Sequence, residues 1–162
     1  MADYKGKIVA ITGAASGLGK AMATRFAEKG VRLSLADLDG TNLSLFEKEL
    51  KSQRVEVITT VVDVRDYDAV KGFADKTFET YGMVDFCINN AGINSMGRVW
   101  KLPLQEWRNV FEINVMGIVH GINAFIPRMI EQDKECFLIT TASNAGLQVN
   151  PSVAAYAMSK HA

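Results

Sequence analysis

Tyr156 and Lys160 stand four positions apart near the end of a chain of 162 residues, a spacing that places both on one face of a helix. An ammonium held beside a phenol favours the phenolate. The phenolate is a competent general base toward an alcohol, and the phenol a general acid toward a carbonyl. Alone, Tyr-x-x-x-Lys is ordinary helix surface. Its setting gives it weight, because it follows Ser143, which lies just past the apolar run Phe137-Leu138-Ile139-Thr140-Thr141.

A second cluster lies at the other end of the chain. Thr12-Gly13-Ala14-Ala15-Ser16-Gly17-Leu18-Gly19 separates the apolar run Ile8-Val9-Ala10-Ile11 from a helical pattern over Lys20 to Lys29, which Gly30 is placed to stop. A glycine-rich turn between a strand and a helix N-terminus brings backbone N–H groups close to a phosphate, and the helix dipole favours the negative charge. The spacing is G-x-x-x-G-x-G, not the usual G-x-G-x-x-G. Asp37 follows Gly19 by 18 positions, about where an acidic residue accepts hydrogen bonds from the adenosine ribose of NAD. A carboxylate there repels the 2′-phosphate of NADP. No Arg or Lys follows Asp37 immediately, and Ser16 is not basic, so the expected cofactor is NAD, with NADP the lesser candidate. Both acids also have plainer readings, Asp37 as a strand-end carboxylate and Asp63 as a loop cap rather than an acceptor for the adenine amine.

The elements that must position these groups are legible as alternating patterns. Strands are expected at Ile8–Ile11, Arg32–Ala36, Val55–Val62, Val84–Ile88 and Phe137–Thr141. Between them, Thr41 to Ser52 carries Leu43, Phe46 and Leu50 at helical spacing with Glu47 and Lys51 paired, and Asp66 is placed to cap a helix bearing Val70, Phe73, Ala74 and Phe78. Pro103 opens a long helix to about Ile130, with a bend or split expected at Pro127, and Pro151 starts the last helix. Apolar strands alternating with helices argue for a parallel sheet covered on both faces. Right-handed crossovers give a doubly wound, Rossmann-type α/β sheet of order 3-2-1-4-5 in one domain over residues 1–162. The glycine turn, Asp37, Asp63, Asn89 to Gly92 and Ser143 then all fall at carboxyl ends of strands, where such sheets bind ligands.

Lys and Arg total 18 and Asp and Glu total 18, for no net charge, which removes the electrostatic case for nucleic acid or an anionic membrane as a partner. No stretch is expected to reach the length of a membrane span, and no signal-peptide core precedes the first strand. Cys87 and Cys136 sit in or beside apolar runs as free core thiols, and His120 and His161 have no ligands at metal spacing. A cytoplasmic protein without a metal is the expectation. Ser159 and Thr140 read as structural, whereas Asn94, Ser95, Asn144, Gln148 and Val149 are placed to face a substrate.

T-G-A-A-S-G-L-G at Thr12 to Gly19, D-V at Asp63 and Val64, N-N-A-G at Asn89 to Gly92, Asn114, Ser143, and Y-A-M-S-K at Tyr156 to Lys160 together resemble the short-chain dehydrogenase/reductase (SDR) family across the whole chain. The odd glycine spacing is that family's own. The resemblance implies that Gly13, Ser16, Gly17, Leu18 and Gly19 wrap the pyrophosphate and adenosine side of the cofactor, that Asp37 selects its free ribose, and that Asp63 and Val64 bracket the adenine. Asn90, Ala91 and Gly92 would line the cofactor cleft. Tyr156 would transfer the proton, Lys160 would stabilise the phenolate and hold the nicotinamide ribose, Ser143 would hydrogen-bond the substrate oxygen, and Asn114 would hold a relay water. Read without the family, Asn114 is a mid-helix polar residue bonded to nearby backbone. The implied activity is NAD-dependent interconversion of a secondary alcohol and a ketone. The alternatives are an NADPH-dependent carbonyl reductase and a non-catalytic NAD-binding module. A small-molecule alcohol or ketone and a second copy of the chain, in a homodimer or homotetramer, are the implied partners. The family continues past Lys160 through further strands and a substrate loop, so the resemblance also implies a chain cut short at its C-terminus.

Overall fold

A computed structural model describes residues 4–148 and 151–162. Its centre is a five-stranded parallel sheet: β1 (Ile8–Thr12), β2 (Arg32–Asp37), β3 (Val57–Val61), β4 (Phe86–Asn89) and β5 (Phe137–Thr140), in the order β3-β2-β1-β4-β5. The helices are α1 (Gly17–Ala27), α2 (Gly40–Ser52), α3 (Tyr67–Tyr81), α4 (Leu104–Phe111), α5 (Gly117–Glu131) and α6 (Ala154–His161). The expected sheet order holds.

Alternation along β1 shows why the sheet is double-sided. Ile8 and Ala10 join a cluster with Val70 and Phe73 of α3 and with Phe125 and Met129 of α5. Val9 and Ile11 face the other way, into a cluster with Leu43, Phe46 and Leu50 of α2. Side chains of this size contribute roughly 1.5–3 kcal/mol each when fully buried, so the central strand is anchored from both sides. Complete burial stops at the centre, however. The edge strands β3 and β5 are only partly covered, with Val61, Phe137 and Ile139 exposed, because each has a single neighbour strand.

Local signals placed most boundaries. Asp66 caps α3 by accepting from the backbone N–H groups of Asp68 and Ala69, and Glu47 pairs with Lys51 at 2.6 Å. The long helix departs from expectation. It is not broken at Pro127, which α5 carries through to Glu131, but at Glu112–Met116, one turn of π-helix around Asn114. A π turn inserts one extra residue and re-aims the side chain within it, a local cost met most often at functional sites. Together α4, the π turn and α5 make a helical run of 28 residues, Leu104–Glu131, long and apolar enough to cross a membrane by length and composition. The expectation that no stretch reaches that length is thereby corrected. Packing accounts for the inner face of the run, since Val110, Ala124, Phe125 and Met129 are buried in the protein. Its outer face exposes Leu104, Met116, Val119, Ile122 and Ile130.

Candidate active site

The glycine turn leaves β1 at Thr12, whose Oγ1 accepts from the backbone N–H groups of Asn90 (3.1 Å) and Ala91 (3.2 Å). Asn90 answers with its side chain, Nδ2 donating to the carbonyls of Thr12 (3.0 Å) and Gly13 (3.2 Å). The ends of β1 and β4 are thus tied together. Gly13 has φ +67°, and a Cβ there would lie 2.8 Å from the Ala91 Cα. At Gly19 a Cβ would land on the Gly13 carbonyl and 2.7 Å from Asn90 Nδ2. Ser16 is the N-cap of α1, yet its side chain caps nothing, leaving the first-turn N–H groups of the helix for an anion.

Asp37 closes the turn from the β2 side. One carboxylate oxygen accepts from the Ala15 N–H at 2.8 Å and the other from the Asp39 N–H at 2.9 Å. A carboxylate offers about four acceptor positions, so room remains for ribose hydroxyls. Asp63 is differently engaged. Arg65 chelates it through Nε and Nη2 and adds its backbone N–H, and this pairing holds the Asp63 carboxyl below the usual carboxylate range. Val64 beside it is buried, its carbonyl taken by His120 Nδ1 at 2.9 Å.

On α6, Lys160 Nζ lies 5.9 Å from the Tyr156 ring centroid and donates to the Thr141 carbonyl at 2.8 Å. Asn114 is wholly buried: its Oδ1 accepts from the Ile93 N–H (2.8 Å), and its Nδ2 donates to the Ile93 carbonyl (2.9 Å) and to Ser159 Oγ (3.0 Å). Ser159 in turn donates to the Tyr156 carbonyl at 2.7 Å. Both amide hydrogens of Asn114 are therefore spent on joining the β4 loop to α6. Ser143 caps a short 3-10 turn, accepting from the Ala145 N–H and donating to Asn144 Oδ1 at 3.3 Å.

One cleft of about 700 Å³ gathers Gly13, Ser16, Gly17, Leu18, Gly19, Asp37, Asp63, Val64, Asn90, Ala91, Gly92, Tyr156 and Lys160 along its walls. Asn114 and Ser143 are not among the described residues that line it. Of the substrate-facing candidates Asn94 lines the cleft, Ser95 is buried, and Asn144 and Gln148 are exposed. Val149 lies outside the described residues. Sequence reasoning passed over Thr12, Arg65 and Thr141, and it read Ser159 as structural without its partners. Only Thr12 carried a signal, as the residue opening the glycine motif.

Comparison with known proteins decides the lineage. The family model for short chain dehydrogenases matches residues 7–162. The chain belongs to that family. It is 40% identical over 154 residues to 1-deoxy-11-beta-hydroxypentalenate dehydrogenase of Streptomyces exfoliatus, covering 94% of this chain and 56% of that protein. It is 35% identical over 162 residues to a CLA biosynthesis dehydrogenase/reductase of Lactiplantibacillus plantarum, covering 100% of this chain and 57% of that one. Among solved structures, a short chain dehydrogenase/reductase from Burkholderia phymatum in complex with NAD superposes with a TM-score of 0.96 at 39% identity, over 99% of this chain and 57% of that one. This SDR chain therefore spans little more than half the length of these relatives, and its cleft coincides with the glycine turn and Tyr-x-x-x-Lys pair of the family motifs.

Proposed function

We propose that the protein is an NAD-dependent oxidoreductase that interconverts a secondary alcohol and a ketone. The observation that carries this reading is that Tyr156 and Lys160 face the same cleft as the glycine turn and Asp37. The turn fits a dinucleotide: at Gly13 and Gly19 a Cβ would strike backbone, and the α1 N-terminus has no side-chain cap. Gly13, Ser16, Gly17, Leu18 and Gly19 would hold the pyrophosphate, and Asp37 the adenosine ribose. Bound NAD would accept or return the hydride at its nicotinamide ring.

Tyr156 takes the proton from the alcohol during oxidation and returns it to the carbonyl oxygen during reduction. Lys160 keeps a positive charge near the phenol, where negative charge develops as the proton moves. The family resemblance assigns the substrate oxygen to Ser143, whose hydroxyl stands outside the described cleft lining and would exchange its bond to Asn144 for the substrate. Asn114 acts through Ile93 and Ser159, keeping α6 aligned with the cleft. Pairing of copies through the exposed apolar face of α4 and α5 would complete a homodimer or homotetramer, and light scattering that reads a monomer removes that part.

Titration with NADH followed by a panel of ketones, read as loss of NADH absorbance, tests the reading. Tyr156→Phe should lower turnover by at least about 100-fold with NADH affinity nearly intact. A protein that binds NADH but reduces no carbonyl would defeat the enzyme reading.

A further inference from the structure

Thr141 stands just past the end of β5, at the junction of the two halves of the cleft. Its backbone N–H continues the ladder to the Asn89 carbonyl at 3.0 Å. Its carbonyl receives the Lys160 ammonium at 2.8 Å. Its hydroxyl donates to Asn90 Oδ1 at 3.1 Å. Asn90 is the residue whose Nδ2 binds the Thr12 and Gly13 carbonyls, packed where a side chain on Gly19 would stand. The plain account of Thr141 is a β-branched residue that suits a strand end. That account leaves the hydroxyl without a task.

We propose that Thr141 is a positioning residue that couples the cofactor turn to Lys160, its hydroxyl fixing the Asn90 amide and its carbonyl holding the lysine. An asparagine amide has two nearly equal-sized ends and can turn over unless its partners differ in kind. Here both Nδ2 hydrogens meet carbonyls, so Oδ1 needs a donor, and the Thr141 hydroxyl supplies it. With that donor gone, Oδ1 loses its partner, and the amide is free to swing away from the Gly13 carbonyl. The glycine turn then loses its side-chain tie to Asn90, and only the Thr12 hydroxyl still joins the two strand ends. Because one residue serves both ends, the turn and the lysine are set in register by the same short piece of β5.

The proposal rests on the reading that the cleft holds NAD, so the test carries one readout that needs no cofactor. In the ligand-free protein, hydrogen exchange over residues 12–19 should quicken in Thr141→Val and stay near wild type in Thr141→Ser, which keeps the hydroxyl. The NADH dissociation constant should rise about fivefold in Thr141→Val, the worth of one neutral hydrogen bond, and return to within about twofold in Thr141→Ser. In an Asn90→Ala background Thr141→Val should add nothing, since its effect passes through that amide. Unchanged exchange in Thr141→Val, or no rescue by serine, would overturn the proposal, as would a full additional effect without Asn90. A wild-type protein that binds no NADH would remove the cofactor reading and leave exchange to judge Thr141 on its own. Serine keeps the strand-end backbone intact, so it answers even if the valine variant folds poorly: exchange or affinity in Thr141→Ser far from wild type would also count against the proposal.

Discussion

Replacing Asp37 with asparagine separates two duties that the carboxylate performs at once. Structurally it accepts from the Ala15 and Asp39 N–H groups at 2.8 and 2.9 Å. Asparagine has one acceptor oxygen, so one of these donors would face an NH₂ group. If the orphan is Ala15, which is buried, the unmet N–H costs about 1–3 kcal/mol. A chain of this size loses roughly 2–4 °C of Tm per kcal/mol, so Tm should fall by several degrees. Electrostatically, two unit charges about 6 Å apart at an effective dielectric of about 20 repel by roughly 3 kcal/mol. Solvent screening at this partly exposed position cuts that by about half, leaving about 1.4 kcal/mol, or tenfold. Parallel titrations of wild type and Asp37→Asn with NADH and NADPH, read by nicotinamide fluorescence, should show NADH affinity falling and NADPH affinity rising by about tenfold. An unchanged ratio of the two affinities would refute the ribose-selecting role. An unchanged Tm would mean that the asparagine oxygen stays on Ala15 and that the exposed Asp39 N–H turns to water instead.

Three further outcomes follow from the close packing at Gly19 and the burial of Cys87. Gly19→Ala would drive its methyl into the Gly13 carbonyl and the Asn90 amide, so NADH binding should be lost while far-UV circular dichroism stays near wild type; tight NADH binding by this variant would mean the turn does not hold the dinucleotide. Burial pushes the Cys87 thiol up to about 12, so alkylation of the folded protein at mildly alkaline pH should label the half-buried Cys136 first, and mass spectrometry finding Cys87 labelled as fast would contradict its placement. The sign for stability follows from the same shift. The folded value lies above the unfolded value of about 8.5, so Cys87 costs nothing below that pH. As pH rises toward about 12 the unfolded chain releases this proton first, and urea midpoints should fall through that window.

Much of the fold was legible because its signals are local. Leu43, Phe46 and Leu50 recur at the helical period and are all buried, and Asp66 caps the helix it precedes. The cleft residues were legible because their spacing is a family motif, which brought Gly13, Asp37, Asn90, Tyr156 and Lys160 together before any coordinate. The break in the long helix was misplaced because Pro127 is a visible local signal, whereas the π turn at Glu112–Met116 has none. Within that turn Asn114 bonds Ile93 and Ser159, which are 21 and 45 residues away.

The amino-acid sequence by itself determined the strand and helix order, the strand-end location of the cleft residues, and the lineage, because periodicity, caps and motif spacing act over a few residues. Tertiary structure alone decided what each polar group is bonded to. Asp63 meets Arg65, Asp37 holds the glycine turn as well as facing the cleft, and Asn114 gives its amide hydrogens to Ile93 and Ser159. Thr141 joins Asn90 to Lys160 for the same reason: a hydrogen bond forms between whichever donor and acceptor the fold brings within about 3 Å, and no spacing along the chain encodes that distance.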